Sequence, residues 1–313
     1  MIATVTVNPC IDKTVEVEKF ELTKTNRVDV KQAKCAGKGI NVAATLRALG
    51  AEVLATGFDF HDGASQLKKE LDAANIPNDF CDAAGELRVC TKVFDRTAKN
   101  TVEFNERGTP VGEREQSLFL EKLENVAKRC EFLTLSGSLA PGLPADFYKT
   151  CIERVRAVAP DCRVVVDAEG EPLRAALSAA PFLIKPNINE FEKTFDCKVR
   201  DIAHLDSLAR DILKKYGLSL LCVSLGAEGA YLTDGKDAVW GPPAPVTVRS
   251  LTGAGDAMVA GLCLALSRGL SLKEVLRYGI AASGATVAVA GTAPGSRADF
   301  EALLASHLDI KEL

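Results

Sequence analysis

The chain has 313 residues, 47% of them hydrophobic, which is enough for two average domains or for one large domain with a substantial core. Its formal net charge of −4 argues against nucleic acid or an anionic membrane as the main partner, because either would require a basic surface. Ten scattered cysteines without a C-x-x-C pair, together with three histidines, argue against a zinc centre and indicate reduced core thiols rather than a disulfide framework.

The N-terminal segment lacks the features of an export signal. Residues 1–7 have neither a basic start nor a long apolar stretch. No part of the sequence approaches the roughly 18 uninterrupted apolar residues of a membrane span. We therefore expect a cytoplasmic protein.

Short β-branched segments alternate with helix-length segments along most of the chain, which is typical of a mostly parallel sheet with helices on both faces. The predicted strands are Ile2–Val7, Glu52–Thr56, Phe132–Leu135, Arg163–Asp167, Phe182–Lys185 and Leu220–Leu225. The predicted helices are Ile40–Leu49, Ala64–Ala74, Glu113–Cys130, Ala145–Val158, Ile202–Tyr216, Gly255–Arg268, Leu272–Ala290 and Arg297–His307. We expect a single doubly wound α/β domain over residues 1–313, because no repeat or linker divides the sequence.

Two stretches interrupt this alternation with extended segments. The first covers about residues 12–34, and the second covers about residues 88–107 and contains a predicted hairpin that turns near residues 96–99. We predict that the two stretches form a small β lid over one end of the main sheet. The alternative is that they extend the main sheet as antiparallel strands.

The most informative motif is the glycine turn Leu251–Met258, which opens a strongly apolar predicted helix. The first N–H groups of a helix have no intrahelical acceptor, and the missing Cβ atoms of Gly253 and Gly255 let an anion approach them. A hydroxyl held between a phosphoryl group and Asp256 would lose its proton as it attacked, while these N–H groups stabilised the developing charge. The alternative is an ordinary glycine turn with an acidic residue in the first helical turn.

Three further segments offer groups for binding. Residues 37–41 combine glycine N–H donors, a lysine and an asparagine at a helix start, which suits a phosphate or a polyhydroxylated ligand, or simply a helix with a solvated lysine. Ser138 lies in a loop after a predicted strand, where ligands of doubly wound folds collect, although a plain connection fits equally well. Asp12 follows the first predicted strand closely, and a surface turn is the simpler interpretation there.

Two later segments suggest a nucleotide site. Lys185 and Asn187 would face nucleotide phosphates, and Glu190 would orient water on a Mg²⁺ ion, which keeps several waters in proteins. The competing interpretation is a capping box formed by Asn187 and Glu190. Residues 223–230 contain two glycines that would hold a phosphate or a ribose edge, or would form a plain hairpin turn.

Taken together, these segments resemble the ribokinase-like carbohydrate kinases of the phosphofructokinase B family over about residues 2–300. The resemblance is carried by Leu251–Gly261, Gly37–Asn41, Ser136–Ser138 and Lys185–Asn187, which stand in the order expected of the family. It implies ATP and Mg²⁺ as cofactors, with a monovalent cation near residues 250–252 and 286–291 left open. It also implies a homodimer formed through the lid.

The resemblance further implies a role for each site residue. Asp256 would be the catalytic base, and Gly253, Ala254 and Gly255 would form the anion hole for the transferred phosphoryl group. The implied substrate contacts are Asp12, Gly37, Lys38, Gly39, Asn41, Arg88, Lys92, Ser138 and Arg27. The implied nucleotide contacts are Lys185, Asn187, Ser224, Gly226 and Gly229, with Glu190 acting on Mg²⁺ through water.

Within the family, the chain is most similar to the branch that transfers the γ-phosphate of ATP to fructose 1-phosphate and gives fructose 1,6-bisphosphate. Tagatose 6-phosphate and fructose 6-phosphate are the alternative acceptors, while Lys38 and Arg88 argue against an uncharged nucleoside or sugar. A phosphosugar-binding regulator without catalysis is an alternative of another class, which the intact Asp256 turn disfavours. The chain departs from the family pattern at Ala36 and Ala140, and alanine would strain the turn if position 36 required a positive φ.

Overall fold

The computed structural model describes residues 1–63, 65–306 and 308–313. The strands are β1 (Ile2–Thr6), β2 (Cys10–Val17), β3 (Asp29–Ala36), β4 (Val53–Phe60), β5 (Asn78–Ala83), β6 (Arg88–Asp95), β7 (Asn100–Asn105), β8 (Phe132–Ser136), β9 (Arg163–Asp167), β10 (Leu183–Ile184), β11 (Leu220–Ser224), β12 (Ala230–Thr233), β13 (Ala238–Gly241) and β14 (Lys311–Glu312). The helices are α1 (Lys38–Ala48), α2 (Gln66–Ala73), α3 (Glu113–Ala127), α4 (Phe147–Val158), α5 (Gly170–Leu177), α6 (Ile188–Phe195), α7 (Ile202–Tyr216), α8 (Ala254–Ser267), α9 (Leu272–Val287) and α10 (Arg297–Ala305). Within the described ranges, no helix has both the length and the apolar character that crossing a membrane requires.

The main sheet has the order β14-β13-β12-β11-β10-β9-β8-β1-β4-β5. Its strands run parallel from β11 to β5, and β12, β13 and β14 are antiparallel. Successive strand residues face opposite sides, so Cys222 packs in the core with α1, α8, α9 and α10, while Val223 packs in the core with α3, α4, α5 and α7. This arrangement confirms the predicted doubly wound, mostly parallel α/β fold.

The two stretches predicted to form a lid pair with each other in a separate sheet of order β3-β2-β6-β7. Strand β2 runs parallel to β6 and antiparallel to β3, and the β6–β7 hairpin turns between Asp95 and Asn100. We call this four-stranded unit the second sheet. Buried residues of β2 and β6 are interspersed with partly buried ones, which gives the sheet two chemically different faces.

Short elements account for most differences between the predicted and observed secondary structure. Helices α5 and α6 have eight residues each and were not predicted, because about two turns give too weak a hydrophobic period. The polar strand β5 was also missed, and β4 continues to Phe60 because β5 pairs with its second half. Helix α9 ends at Val287, before the predicted Ala290. The predicted helix ends at Ala64 and His307 lie outside the described residues.

Helix α1 packs closely against β1, and this contact positions the first residues of the helix at the carboxyl edge of the sheet. A Cβ atom on Gly39 would overlap the carbonyl oxygen of Val5, and one on Gly37 would lie 2.6 Å from Cγ2 of Thr6. Both glycines are therefore needed for packing, whatever they do for a ligand. All ten cysteines are free thiols, eight of them buried.

Gly39→Ala should lower the free energy of unfolding by about 1–3 kcal/mol, because the new methyl group must displace the backbone of β1 or the start of α1. Urea unfolding measures this change. The matched control is Gly112→Ala, where the new Cβ meets the flexible end of Glu115, and we expect a change within about 0.5 kcal/mol. Equal stability of the two variants would contradict the close packing of α1 on β1.

Candidate active site

Asp256 is the third residue of α8. The N-cap of this helix is Gly253, whose φ of 82° is in the left-handed region. The carboxylate is buried, and its Oδ2 accepts a hydrogen bond of 2.7 Å from Nδ2 of Asn41 in α1. Burial and repulsion by Asp167 raise the pKa of Asp256 to about 6, although the Asn41 hydrogen bond and two lysines act in the opposite direction. A carboxyl group with this pKa is largely ionised at neutral pH and is still able to accept a proton.

Asp167, the last residue of β9, holds two lysines beside this carboxylate. Its Oδ1 lies 3.5 Å from Nζ of Lys38 and 3.4 Å from Nζ of Lys185. Burial alone would raise the pKa of Asp167, but attraction to Lys185 and Lys38 outweighs burial and holds the pKa below its usual range. The same attraction raises the pKa of Lys38, so both partners stay charged. Oδ2 of Asp167 is buried and has no hydrogen-bond partner among the described residues.

Backbone donors and cations converge at the start of α8. The side-chain ammonium of Lys185 would lie 3.3 Å from a Cβ atom placed on Gly255, so it sits directly over the first turn. The N–H group of Ala254 donates to the carbonyl oxygen of Leu251 at 3.3 Å, and the next N–H groups of this turn have no acceptor inside the helix. The loop at Gly137, with φ 95°, lies against Lys38. This arrangement can bind and stabilise a transferring anionic group.

One face of the second sheet carries a polar cluster around Asp12. Oδ2 of the buried Asp12 accepts a hydrogen bond of 2.8 Å from Nζ of Lys92, while Oδ1 has no partner in the described chain. Lys34 in β3 lies opposite Asp12 in the strand register. Burial lowers the pKa of Lys34, and Asp12 partly counteracts this effect. The cluster therefore presents one free carboxylate oxygen and a half-buried cation.

Arg88 and Ser138 are brought together by Asn8, in the turn between β1 and β2. Arg88 donates from Nε and Nη2 to the carbonyl oxygen of Asn8, at 3.3 and 3.1 Å, and from Nη1 to that of Glu106, at 3.1 Å. Nδ2 of Asn8 lies 3.4 Å from Oγ of Ser138. Much of the Arg88 guanidinium is thus engaged with the backbone, which fixes its orientation.

Two details of the sequence-based prediction depend on local conformation. Ala36 is a buried residue of β3 and does not adopt a positive φ, so the backbone strain considered for alanine at this position does not arise. Arg27 is exposed in the loop before β3, and within the described residues its side chain makes no hydrogen bond to the cluster around Asp12.

A cavity of about 640 Å³ opens beside the start of α8. Its apolar lining includes Val246, Val248, Leu251, Met258, Ile280 and Val287. The polar residues Asn187 and Ser224 lie on its rim with Gly226 and Gly229, and the cavity reaches Ala254 and Gly255. The volume and the mainly apolar lining suit a small-molecule ligand. The hairpin interpretation of residues 223–230 is confirmed, because β11 and β12 pair antiparallel on either side of Gly226 and Gly229.

Asn187 and Glu190 form the capping box of α6, which confirms the structural interpretation of this motif. Oδ1 of Asn187 accepts from the N–H of Glu190 at 2.9 Å, and Oε2 of Glu190 accepts from the N–H of Asn187 at 2.8 Å. Each side chain keeps one group for another partner, Nδ2 of Asn187 and Oε1 of Glu190. Glu190 also contributes to the raised pKa of Lys38, so it lies within electrostatic reach of the centre.

The loops at residues 250–252 and 286–291 lie against each other. The N–H groups of Arg249 and Ser250 donate to the carbonyl oxygen of Val287, at 2.8 and 3.2 Å. A Cβ atom on Gly253 would lie 3.7 Å from Cγ2 of Thr286. The second loop therefore supports the turn that carries Asp256.

Three residues at these sites were given no catalytic or binding role from the sequence, namely Asn8, Lys34 and Asp167. Asp167 had a usable signal, because it ends the predicted strand Arg163–Asp167 at the carboxyl edge of the sheet, beside Ser136 at the end of β8. Lys34 and Asn8 acquire their positions only through pairing of β2 with β3 and packing of distant loops. No local pattern in the sequence reports those contacts.

The model of the pfkB family carbohydrate kinases matches residues 5–299 of this chain. The 1-phosphofructokinase of Escherichia coli K12 is 32% identical over 307 residues, covering 97% of this chain and 96% of that protein. The 1-phosphofructokinase of Borreliella burgdorferi is 31% identical over 287 residues, covering 91% of each.

Solved structures with the same fold include phosphofructokinase-2 from Escherichia coli in complex with potassium, with a TM-score of 0.90 and 28% identity. The same enzyme in complex with fructose-6-phosphate has a TM-score of 0.89 and 26% identity. Both alignments cover 97% of this chain and 98% of the other. Because the family model and these relatives span nearly the whole chain, the protein belongs to the pfkB family of carbohydrate kinases, which are phosphotransferases.

Proposed function

We propose that this kinase transfers the γ-phosphate of ATP to fructose 1-phosphate and produces fructose 1,6-bisphosphate. The observation that carries the proposal is the buried Asp256 at the start of α8, hydrogen-bonded to Asn41 and flanked by two lysines. Relatives named 1-phosphofructokinase support the choice of acceptor. Fructose 6-phosphate and tagatose 6-phosphate are the alternative acceptors, the first because of the complex formed by the Escherichia coli phosphofructokinase-2.

Asp256 accepts the proton of the acceptor hydroxyl as its oxygen attacks the γ-phosphorus of ATP. Asn41 holds the carboxylate in place through one oxygen, which leaves the other oxygen for the hydroxyl. The N–H groups of the first turn, at Ala254 and Gly255, stabilise the charge on the transferring group. Lys185 adds a positive charge directly over this turn.

Lys38 acts on the transferring phosphoryl group in this proposal, and not mainly on the phosphate that the acceptor already carries. Its Nζ faces Asp167, and its pKa is also raised by Asp256. The glycines on either side of it, Gly37 and Gly39, serve the packing of α1.

The phosphate of the acceptor binds to cations of the second sheet. Arg88, oriented by Asn8 and close to Ser138, is one such group, and Lys34 is another. Asp12 hydrogen-bonds sugar hydroxyls through its free oxygen while Lys92 holds the other. Arg27 is a further candidate for binding this phosphate, which it would reach only if the second sheet closed over the site.

ATP occupies the cavity beside α8, with its base against the apolar lining and its phosphates toward Ala254 and Gly255. The residues present fit a magnesium ion, because neither the buried Oδ2 of Asp167 nor Oε1 of Glu190 accepts a hydrogen bond from the residues that the structure describes. When bound, Mg²⁺ neutralises phosphate charge. A potassium ion near residues 250–252 and 286–291 is supported by the potassium complex of the Escherichia coli phosphofructokinase-2.

The second sheet acts as a lid of a single domain, and two lids pair in a homodimer. Large apolar side chains are exposed on it, with Leu22 at 88%, Val30 at 57% and Phe104 at 52%. Several exposed apolar groups in one small unit support an interaction surface there. Pairing of two lids would cover these groups together with the outer edges of β3 and β7.

Fructose 1-phosphate should give the highest kcat/KM in an ADP-release assay with Mg-ATP, compared with tagatose 6-phosphate, fructose 6-phosphate, fructose and ribose.

Lys34→Met should raise KM for the phosphorylated acceptor about tenfold or more and leave KM for ATP unchanged, because it removes a cation from the phosphate site. The control is Lys31→Met, which removes an exposed lysine from the same strand. In the acceptor comparison, a higher kcat/KM for an unphosphorylated sugar would contradict the cationic acceptor site. No ADP release with any of the acceptors would favour a non-catalytic regulator.

Asp256→Asn should lower kcat by about 10²–10⁴ and leave the KM values and the fold nearly unchanged, because only the proton acceptor is lost. Steady-state kinetics and circular dichroism measure these effects. The exposed Asp146→Asn serves as the control. Near-normal turnover of Asp256→Asn would remove Asp256 from the role of general base.

The pH dependence of kcat/KM should show an acidic limb near pH 6, because Asp256 must be ionised to accept a proton and its pKa is raised to about 6. The Asn41 hydrogen bond stabilises the ionised form, so Asn41→Ala should raise this pKa and move the limb to higher pH. The variant would then lose more activity at pH 6 than at pH 8. A limb that stays in place, or moves to lower pH, would show that Asp256 does not determine it.

A further inference from the structure

Outside the active site, three potential metal ligands converge at the carboxyl ends of β4 and β5. Asp59 in β4 lies opposite Asp82 in β5, and His61 follows two residues after Asp59. One ligand atom from each of the three residues lies within 4.8 Å of the others. Nε2 of His61 is 3.2 Å from Oδ1 of Asp82 and 3.9 Å from Oδ2 of Asp59.

Asp59 lacks the partners that a buried carboxylate usually has. It is 0% exposed, and neither of its oxygens accepts a hydrogen bond from any residue that the structure describes. Nδ1 of His61 is buried without a partner as well. Buried charged groups in proteins are normally paired or bound to a metal ion. A cation close to Asp59 would therefore stabilise its buried carboxylate.

Lys68 in α2 supplies part of the required positive charge. Its Nζ contacts Oδ1 of Asp82 directly but lies 3.8 Å from Oδ2 of Asp59, which is beyond hydrogen-bonding distance. Two carboxylates and one ammonium group leave a net negative charge when His61 is neutral. Like charges directly opposite each other on neighbouring strands are also unfavourable. A second cation would relieve both problems.

We propose that Asp59, His61 and Asp82 bind a divalent transition-metal ion of the Zn²⁺ or Co²⁺ type, with water completing its coordination. One imidazole and two carboxylates are donors that these ions take in proteins, whereas Mg²⁺ and Ca²⁺ prefer oxygen ligands alone. Access is through Asp82, whose side chain is 64% exposed. The Lys68 side chain is 34% exposed and moves toward solvent when the ion binds.

The site is connected to the second sheet through α2. Oε2 of Glu70, two residues beyond Lys68 in this helix, accepts a hydrogen bond of 2.7 Å from the N–H of Cys35 in β3. A bound ion would displace the Lys68 ammonium group from Asp82 and would thereby alter the contact of α2 with β5. Its ligands lie on elements other than those that carry Asp256 and Asp167, so its role is structural and not catalytic.

The test is a titration of the chelator-treated full-length protein, without nucleotide, by calorimetry with Zn²⁺ and by visible absorption with Co²⁺. We expect saturable binding of one ion per chain at this site. His61→Ala and Asp59→Asn should weaken binding by about tenfold or more. His204→Ala, which removes a histidine elsewhere, should leave it unchanged, and Lys68→Met should strengthen it because the competing ammonium group is gone.

Thermal unfolding gives a second measurement. Zn²⁺ should raise the Tm of the unmutated protein and of Lys68→Met, but not that of His61→Ala, because an ion that binds only the folded state stabilises it. His61 is partly exposed, so His61→Ala is expected to fold even if Asp59→Asn does not. The proposal is overturned if neither the unmutated protein nor Lys68→Met binds Zn²⁺ below roughly 1 mM, or if His61→Ala binds it as tightly. The cluster would then be an ion-pair network alone.

Discussion

The attraction of the buried Asp167 to Lys38 and Lys185 is the interaction on which the candidate active site depends. Burying the Lys185 ammonium group is costly unless a carboxylate compensates it, and one oxygen of Asp167 compensates both Lys185 and the partly exposed Lys38. The same carboxylate repels Asp256 and thereby contributes to the raised pKa of that group. One residue at the end of β9 therefore raises the pKa of Lys38 and, together with burial, also raises the pKa of Asp256 toward the range that suits a general base.

Packing of the backbone fixes the positions of the charged side chains at the starts of α1 and α8. The glycines at the start of α1 let the helix lie against β1, which holds Lys38 and Asn41 at the carboxyl edge of the sheet. The αL conformation at Gly253 starts α8 at the same edge. Because close packing on β1 fixes α1 and the turn at Gly253 fixes the start of α8, the hydrogen bond between Asn41 and Asp256 joins two well-positioned elements. Such a site needs little rearrangement during phosphoryl transfer.

Buried carboxylates elsewhere in the molecule illustrate the same constraint with different outcomes. Asp12 is compensated by Lys92 through one oxygen and keeps the other free, which suits a ligand-binding role. Asp167 is compensated by two lysines at the candidate active site. Asp59 has Lys68 only at 3.8 Å and no hydrogen bond within the described residues, so its compensation is incomplete. The number and distance of nearby cations thus distinguish three environments for one residue type.

The sequence by itself determined the α/β class, most of the parallel strands, the two stretches of the second sheet and the glycine turn at Asp256. These features follow from periodicity and local turn chemistry, which act over a few neighbouring residues. The tertiary structure alone decided that Asn41 meets Asp256 across 215 positions of sequence and that Lys34 lies opposite Asp12. It also showed Asp167 between two lysines and Asp59 without a hydrogen bond from any described residue. Burial, strand register and charge compensation depend on segments far apart in the chain, and no local pattern encodes them.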